Sequence, residues 1–112
     1  MNKHTPGPWF SSKNGAVTAE NGFLLASAHY PKQMPDINGE RMEGESWADA
    51  YKRLEPVRYA IAEEMDANAR LIAAAPDLLE ALDWCLAEIY EHSSAATAAR
   101  AAIAKATGSA NA

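Results

Sequence analysis

The sequence lacks three features that would assign a class of function at once: a second cysteine, an excess of basic residues and a long apolar run. One cysteine among 112 residues excludes an internal disulfide and favours a reducing, intracellular setting. Ten lysines and arginines stand against fifteen acids, and the net charge of −5 disfavours binding to nucleic acid or to an anionic membrane surface. No run approaches the roughly 18 apolar residues that span a bilayer. We therefore expect a cytoplasmic protein.

The sequence also has no recognisable catalytic or metal-binding motif. His4, His29 and His92 do not form the closely spaced pairs that mark zinc sites. No glycine-rich loop has the spacing of a phosphate-binding motif. Cys85 lies inside a predicted helix beside Trp84, where a buried or half-buried, unreactive thiol is expected. These observations indicate a protein that is not an enzyme and that uses no metal or cofactor.

The first thirty residues have the pattern of a small antiparallel sheet. Two Asn-Gly pairs are strong signals for tight turns, and short apolar runs flank both of them. Strands are predicted near residues 8–12, 16–20 and 23–30, paired as a meander. Trp9 follows a rigid Pro-Gly-Pro segment and is expected in the core.

Residues 31–46 read as a long loop, because they contain two prolines, two glycines and few apolar side chains. Loops of this length in a small domain tend to be functional or mobile. Ser46 is a good N-cap residue, and it predicts a short helix from Trp47 to Leu54. We treat residues 31–55 as an insertion between the predicted sheet and the helices that follow.

From Val57 onward the apolar residues follow helical spacing. The predicted stripe includes Ile61, Met65 and Asn68 and continues in steps of three and four. Pro76 is expected to end this helix and to begin the next one, which reaches about His92. A third helix, rich in alanine, is predicted over residues 95–106.

These elements predict a single α+β domain over residues 1–112. It consists of a β-meander (1–30), the insertion (31–55) and the helices (56–107). A three-stranded sheet is too small to be stable alone, so we expect it to pack on a C-terminal antiparallel helical pair, with a short third helix beside them. The alanine-rich third helix and the tryptophan at position 84 favour a homo-oligomer.

Five polar or aromatic residues are candidates for binding a ligand or a partner. Asn68 on the apolar stripe either donates to a strand backbone or contacts a ligand. Arg53 and Arg58, near the junction of loop and helix, either bind an anion or are solvated. Trp84 shares a helix face with several acids, where it is either an interface anchor or packs under the third helix. Trp47 beside the long loop has the same two interpretations.

Two stretches carry a resemblance to a known group. HTPGPW at 4–9 and ANARLIAAAPDLLEAL at 67–82 resemble markers of a group of small phage and prophage proteins, most of them uncharacterised, and the ending at 99–106 is similar too. The group has a shorter middle, so 31–55 is an insertion that can hold the specificity of this member. The motifs themselves name no chemistry.

The resemblance implies a phage protein that acts in the cytoplasm of the host cell. In size and architecture the chain is loosely similar to phage anti-defence proteins. The leading hypothesis is a non-enzymatic inhibitor of bacterial immunity that acts by stoichiometric binding. Its partner is either a cyclic nucleotide signal, which it sequesters, or a bacterial defence protein, which it blocks as an anti-CRISPR would. The alternative is a small structural or assembly protein of the phage with no defence target.

Overall fold

A computed structural model describes residues 3–109 of the chain. The elements, in chain order, are β1 (Trp9–Ser11), β2 (Ala16–Ala19), β3 (Leu24–Ser27), α1 (Ile37–Glu40), α2 (Trp47–Ala73), α3 (Ala75–Glu88) and α4 (Ser94–Thr107). The strands form one antiparallel sheet in the order β1-β2-β3. The predicted α+β class and the predicted meander are therefore confirmed.

The two Asn-Gly pairs make the turns of the sheet, as predicted. Gly15 and Gly22 have φ angles of 77° and 89°, a left-handed conformation that glycine adopts without a steric penalty. Ala28 donates its backbone N–H to the carbonyl oxygen of Gly15 at 2.7 Å, which ties the end of β3 to the first turn. An irregularity between Val17 and Thr18 shifts the register of β2 against β3.

Helix α2 is one continuous helix of 27 residues, so the prediction of a separate short helix ending at Leu54 was wrong. Pro56 lies inside it and removes one backbone hydrogen bond. Packing on both sides of the proline offsets that loss. Ile37 of α1 packs against α2 before Pro56, and Val17 of the sheet packs against Ala69 after it.

The buried positions in the second half of α2 follow steps of four: Ile61, Met65, Ala69 and Ala73. The predicted stripe took a step of three after Met65 and so included Asn68. Asn68 is exposed, so its predicted place on the apolar stripe that faces the sheet was wrong. The sheet packs on the side of α2 that carries Ala69 and Ala73, because these small residues let Val17 approach the helix backbone closely. Asn68 therefore lies outside this contact.

The two marker stretches of the sequence meet in space. The indole N–H of Trp9 donates to the carbonyl oxygen of Thr5 at 3.0 Å, which closes the HTPGPW segment on itself. Trp9 is half-buried and packs against the Val17 cluster, as predicted. A Cβ atom on Gly7 would lie only 3.1 Å from Cβ of Pro76. The glycine therefore allows the segment to pack on the first turn of α3.

Helices α3 and α4 pack against each other. Ser93 begins α4 by accepting the backbone N–H of Ala96 on its hydroxyl oxygen at 3.0 Å, and Gly108 ends it with a φ of 73°. The helical pair of the fold is thus α3 with α4, which we name the hairpin, while α2 carries the sheet. The molecule is elongated, with extents of 65 × 35 × 22 Å.

Candidate functional site

The start of α2 carries two aromatic side chains on one face. Ser46 fixes this start, because its hydroxyl oxygen accepts the backbone N–H of Asp49 at 3.1 Å. Trp47 and Tyr51, one helical turn apart, stack with ring centroids 5.2 Å apart and an angle of 23° between the planes. Both rings are exposed. They present a flat apolar surface to solvent next to the inserted segment.

A cleft of about 230 Å³ lies beside this stack. It forms where the chain after β3 passes along α2. Its lining is mainly aromatic and apolar, and it consists of Tyr30, Met34, Tyr51, Glu55, Arg58, Tyr59 and Ala62. We call it the aromatic cleft. Its tyrosines are exposed, and Tyr59 has 61% of its surface in contact with solvent, so the rings are available to a ligand.

Arg58 is the one basic side chain of the aromatic cleft. Its guanidinium lies over the ring of Tyr51 at 5.7 Å from the centroid, an attractive cation–π arrangement. Nη1 donates to the carbonyl oxygen of Pro35 at 3.3 Å, which anchors the inserted segment to α2. A guanidinium has five N–H donors. The cleft therefore combines flat rings, which stack on planar groups, with a fixed cation beside them.

Arg53, the other predicted anion-binding residue, is engaged within the chain. Its Nε donates to Oε2 of Glu45 at 2.9 Å and its Nη2 donates to Oε1 of the same carboxylate at 3.0 Å. Nη2 also donates to the carbonyl oxygen of Glu40. The hydrogen bonds from Arg53, together with that from the backbone N–H of Met42, lower the pKa of Glu45 to about 2. Arg53 thus holds the inserted loop on α2.

The structure brings Trp47 and Arg58 to one site, through Tyr51. Asn68 lies further along α2 and is exposed. Trp84 belongs to the hairpin and is 74% exposed, so it does not pack under the third helix. Cys85 is exposed as well, and the prediction of a buried or half-buried thiol was wrong because it lies on a side of α3, with Leu78 and Ala81, that stays exposed in the described part of the chain.

Arg58 was identified from the sequence, but the three tyrosines of the aromatic cleft were missed: Tyr30, Tyr51 and Tyr59. Tyr51 and Tyr59 could have been found by extending one helical period from Trp47 through Pro56, because positions four and eight residues apart share a face. Ending the helix at Leu54 hid that relation. Tyr30 gave no such signal, since only the path of the chain after β3 places it beside α2.

A second cleft lies between the two marker stretches. His4, Gly7 and Pro8 form one wall, and α3 forms the other with Pro76, Asp77, Leu79, Glu80 and Asp83; the volume is about 460 Å³. Within residues 3–109 no group of three or more His, Cys, Asp or Glu side chains is arranged to hold a metal ion. The cleft lies where the N-terminal segment packs on α3, beside the close approach of Gly7 to Pro76.

No helix in the described part of the chain is both long enough and apolar enough to cross a membrane. In the comparison with protein families, the family model described as Salmonella phage P22 protein Y8K6 matches residues 1–110. No curated protein and no solved structure matches the chain.

Proposed function

We propose that this chain, which belongs to the family of Salmonella phage P22 protein Y8K6, is a phage-encoded, non-enzymatic inhibitor of bacterial immunity. In this proposal it acts by stoichiometric binding of a nucleotide signal in the cytoplasm of the host cell. The observation that carries the proposal is the aromatic cleft, where exposed tyrosines surround the guanidinium of Arg58.

The chemistry of the cleft supports a nucleotide as the ligand. Any of the nucleic-acid bases can stack on an exposed aromatic ring, and such stacking contributes about 1–3 kcal/mol per base. A guanidinium recognises phosphate oxygens through paired hydrogen bonds. Trp47 and Tyr51 extend the flat surface beyond the cleft. Base and phosphate would then be bound by neighbouring groups of one site.

The size and charge of the site restrict the ligand. The volume of about 230 Å³ is below the roughly 300–1,000 Å³ of pockets that enclose a drug-sized molecule. The cleft therefore suits one base, with the rest of the ligand lying along the surface. The net charge of −5 disfavours long polyanions. A cyclic mononucleotide or dinucleotide meets both conditions.

The experiment is native mass spectrometry and calorimetry on the full chain with a panel of cyclic nucleotides. We expect a discrete nucleotide mass on the wild type, and affinity at least about tenfold lower in Tyr59→Ala and in Arg58→Gln, since about 1.4 kcal/mol corresponds to tenfold. Tyr90→Ala is the matched control, because Tyr90 is an exposed tyrosine of the hairpin region. A wild type that binds no nucleotide of the panel contradicts the proposal.

The exposure of Trp84 favours a second candidate, in which the protein blocks a bacterial defence protein. The indole shares its side of α3 with Asp77, Glu80 and Glu88, so an acidic surface surrounds an aromatic anchor. Such a surface can occupy a basic groove that normally holds nucleic acid. Pull-down from bacterial lysate with wild type and Trp84→Ala tests it: a defence protein retained by the wild type and lost from the variant supports blocking.

A further inference from the structure

The hairpin covers its apolar helix α3 only in part, since Leu79, Leu82 and Leu86 are half-buried. Helix α3 contains five large apolar side chains between Leu78 and Leu86, yet none of its residues is buried. Its neighbour α4 contributes mainly alanines, of which Ala96, Ala99 and Ala104 are buried. Short side chains on one helix cannot enclose leucines on the other, so α3 remains open along one flank.

The accessible surface of the whole chain is also larger than that of a compact fold. The chain exposes 8353 Å², whereas a compact monomer of the same mass exposes about 6,000 Å². The radius of gyration of 20.2 Å likewise exceeds the roughly 13 Å of a compact domain of this length. An isolated chain thus leaves more than about 2,000 Å² of surface in water that a compact fold of this size would bury.

The open flank of α3 has the spacing of a helix-packing seam. Leu78, Leu82 and Cys85 on α3, with the C-cap residue Ile89 just after it, follow steps of four, three and four, the spacing at which helices pair along their length. Leu78 is 52% exposed and Cys85 is exposed too, whereas Leu82 and Ile89 are half-buried. We call these four residues the seam.

Charged side chains lie away from the seam. At about 100° of rotation per residue, the acids of α3 are displaced from the middle of the seam by roughly 90° or more. These acids are Asp77, Glu80, Asp83 and Glu88. Trp84 is displaced by roughly 130°. A partner can therefore cover the seam without burying an unpaired carboxylate, which would be costly.

We propose that the seam is the interface of a homodimer, in which the hairpins of two chains pack into a four-helix bundle. Two-helix hairpins with one apolar side reach a stable packing in this way, and a twofold interface uses the same patch on both chains. The area agrees with a second copy: obligate homodimer interfaces bury roughly 2,000–5,000 Å² in total. Each chain would contribute half of that total, about 1,000–2,500 Å², which is about half or more of the surface that the isolated chain exposes in excess of a compact fold. An uncharged seam does not favour the basic partner that the acidic side of α3 would attract.

The dimer is independent of the nucleotide proposal. The aromatic cleft is built from α2 and the segment after β3, whereas the seam lies on α3 and its C-cap residue Ile89. Each subunit would therefore carry its own cleft. A monomeric protein that binds a nucleotide contradicts the dimer alone, and a dimer that binds none contradicts the nucleotide proposal alone.

Size-exclusion chromatography with light scattering, supported by native mass spectrometry of the full chain, tests the proposal. The expected wild-type mass is twice that of the 12.0 kDa chain. We expect Leu78→Glu to shift the protein to monomer, with dimer affinity lowered at least about a hundredfold, and to keep the helical circular dichroism signal. Trp84→Glu is the matched control on the same helix, and we expect it to stay dimeric.

The thiol of Cys85 gives a second measurement that needs no substitution. In a dimer it lies in the interface, so its reaction with a thiol reagent should slow as the protein concentration rises through the dissociation constant. A wild type that is monomeric at tens of micromolar overturns the proposal. So does a dimer that Leu78→Glu leaves intact, or one that only Trp84→Glu dissociates, because the interface would then lie on the acidic side of α3.

Discussion

Helices α2 and α3 follow each other with one residue between them, yet they bury their apolar faces to very different extents. Helix α2 has six buried residues and α3 has none, although α3 is the more apolar of the two. The difference lies in what covers them. The sheet and α1 bring Val17 and Ile37 onto α2, while α3 meets the alanines of α4. An apolar stripe thus specifies a buried face only if the chain supplies side chains large enough to cover it.

The largest expected effect compares a leucine from each region. Leu54→Ala removes a buried side chain that packs with Ile37 and Ala50, so we expect the free energy of unfolding to fall by about 3 kcal/mol. Leu78→Ala on the open flank should lower it by less than about 1 kcal/mol at concentrations where the chain is monomeric. Urea denaturation at low protein concentration measures both. Equal losses would contradict the difference between the two helices.

The next largest loss of stability is expected from substitutions of the two glycines in the turns of the sheet. Gly15 and Gly22 both have positive φ, so alanine costs roughly 1–2 kcal/mol at either position. A Cβ on Gly15 would also clash with the carbonyl oxygen of Ala28, whereas one on Gly22 would meet nothing within 4 Å. We expect Gly15→Ala to destabilise the protein by at least about 1 kcal/mol more than Gly22→Ala. The same denaturation assay decides, and a similar loss in both variants would show that β3 can move away from the turn.

Removal of the N-cap residues compares how well α2 and the hairpin are supported by tertiary contacts. Ser46 caps α2 and Ser93 caps α4, each through one hydrogen bond to its hydroxyl oxygen, and each cap contributes about 1 kcal/mol. Helix α2 has tertiary support from the sheet and α1, while α4 packs on α3. Ser93→Ala should therefore cost more helical circular dichroism signal than Ser46→Ala. The reverse order would mean that the hairpin is the better supported region.

The smallest effect concerns acidic pH. The hydrogen bonds from Arg53 and from the backbone N–H of Met42 lower the pKa of Glu45 from 4.5 to about 2. A carboxyl with a lowered folded-state pKa stabilises the fold fully above its unfolded pKa, and that contribution is lost as the pH falls through the folded value. We expect the contact between the inserted loop and α2 to weaken between about pH 4.5 and 2. Glu45→Gln should lack this pH dependence in a denaturation series, and an unchanged slope would contradict it.

Much of the fold could be predicted from local pattern. The three strands, their order and the start of α4 after Ser93 all agree with the sequence. The continuity of α2 through Pro56 could not be predicted, because the cost of one lost hydrogen bond is offset by packing of α1 and the sheet on its two halves. Less of the candidate site could be predicted from the sequence. Trp47 and Arg58 were identified, but the tyrosines that surround them were not.

The sequence by itself determined the turns at Gly15 and Gly22, the cap at Ser93 and the end of α4 at Gly108. These features depend on the conformational preferences of neighbouring residues, which any fold would respect. Only the tertiary structure decided that Asn68 is exposed. It likewise decided which groups share a site: Arg53 of α2 pairs with Glu45 of the inserted loop, and Tyr30 lines the same cleft as Arg58 although a long stretch of chain separates them. Such contacts follow from the packing of whole elements, and residue spacing does not encode them.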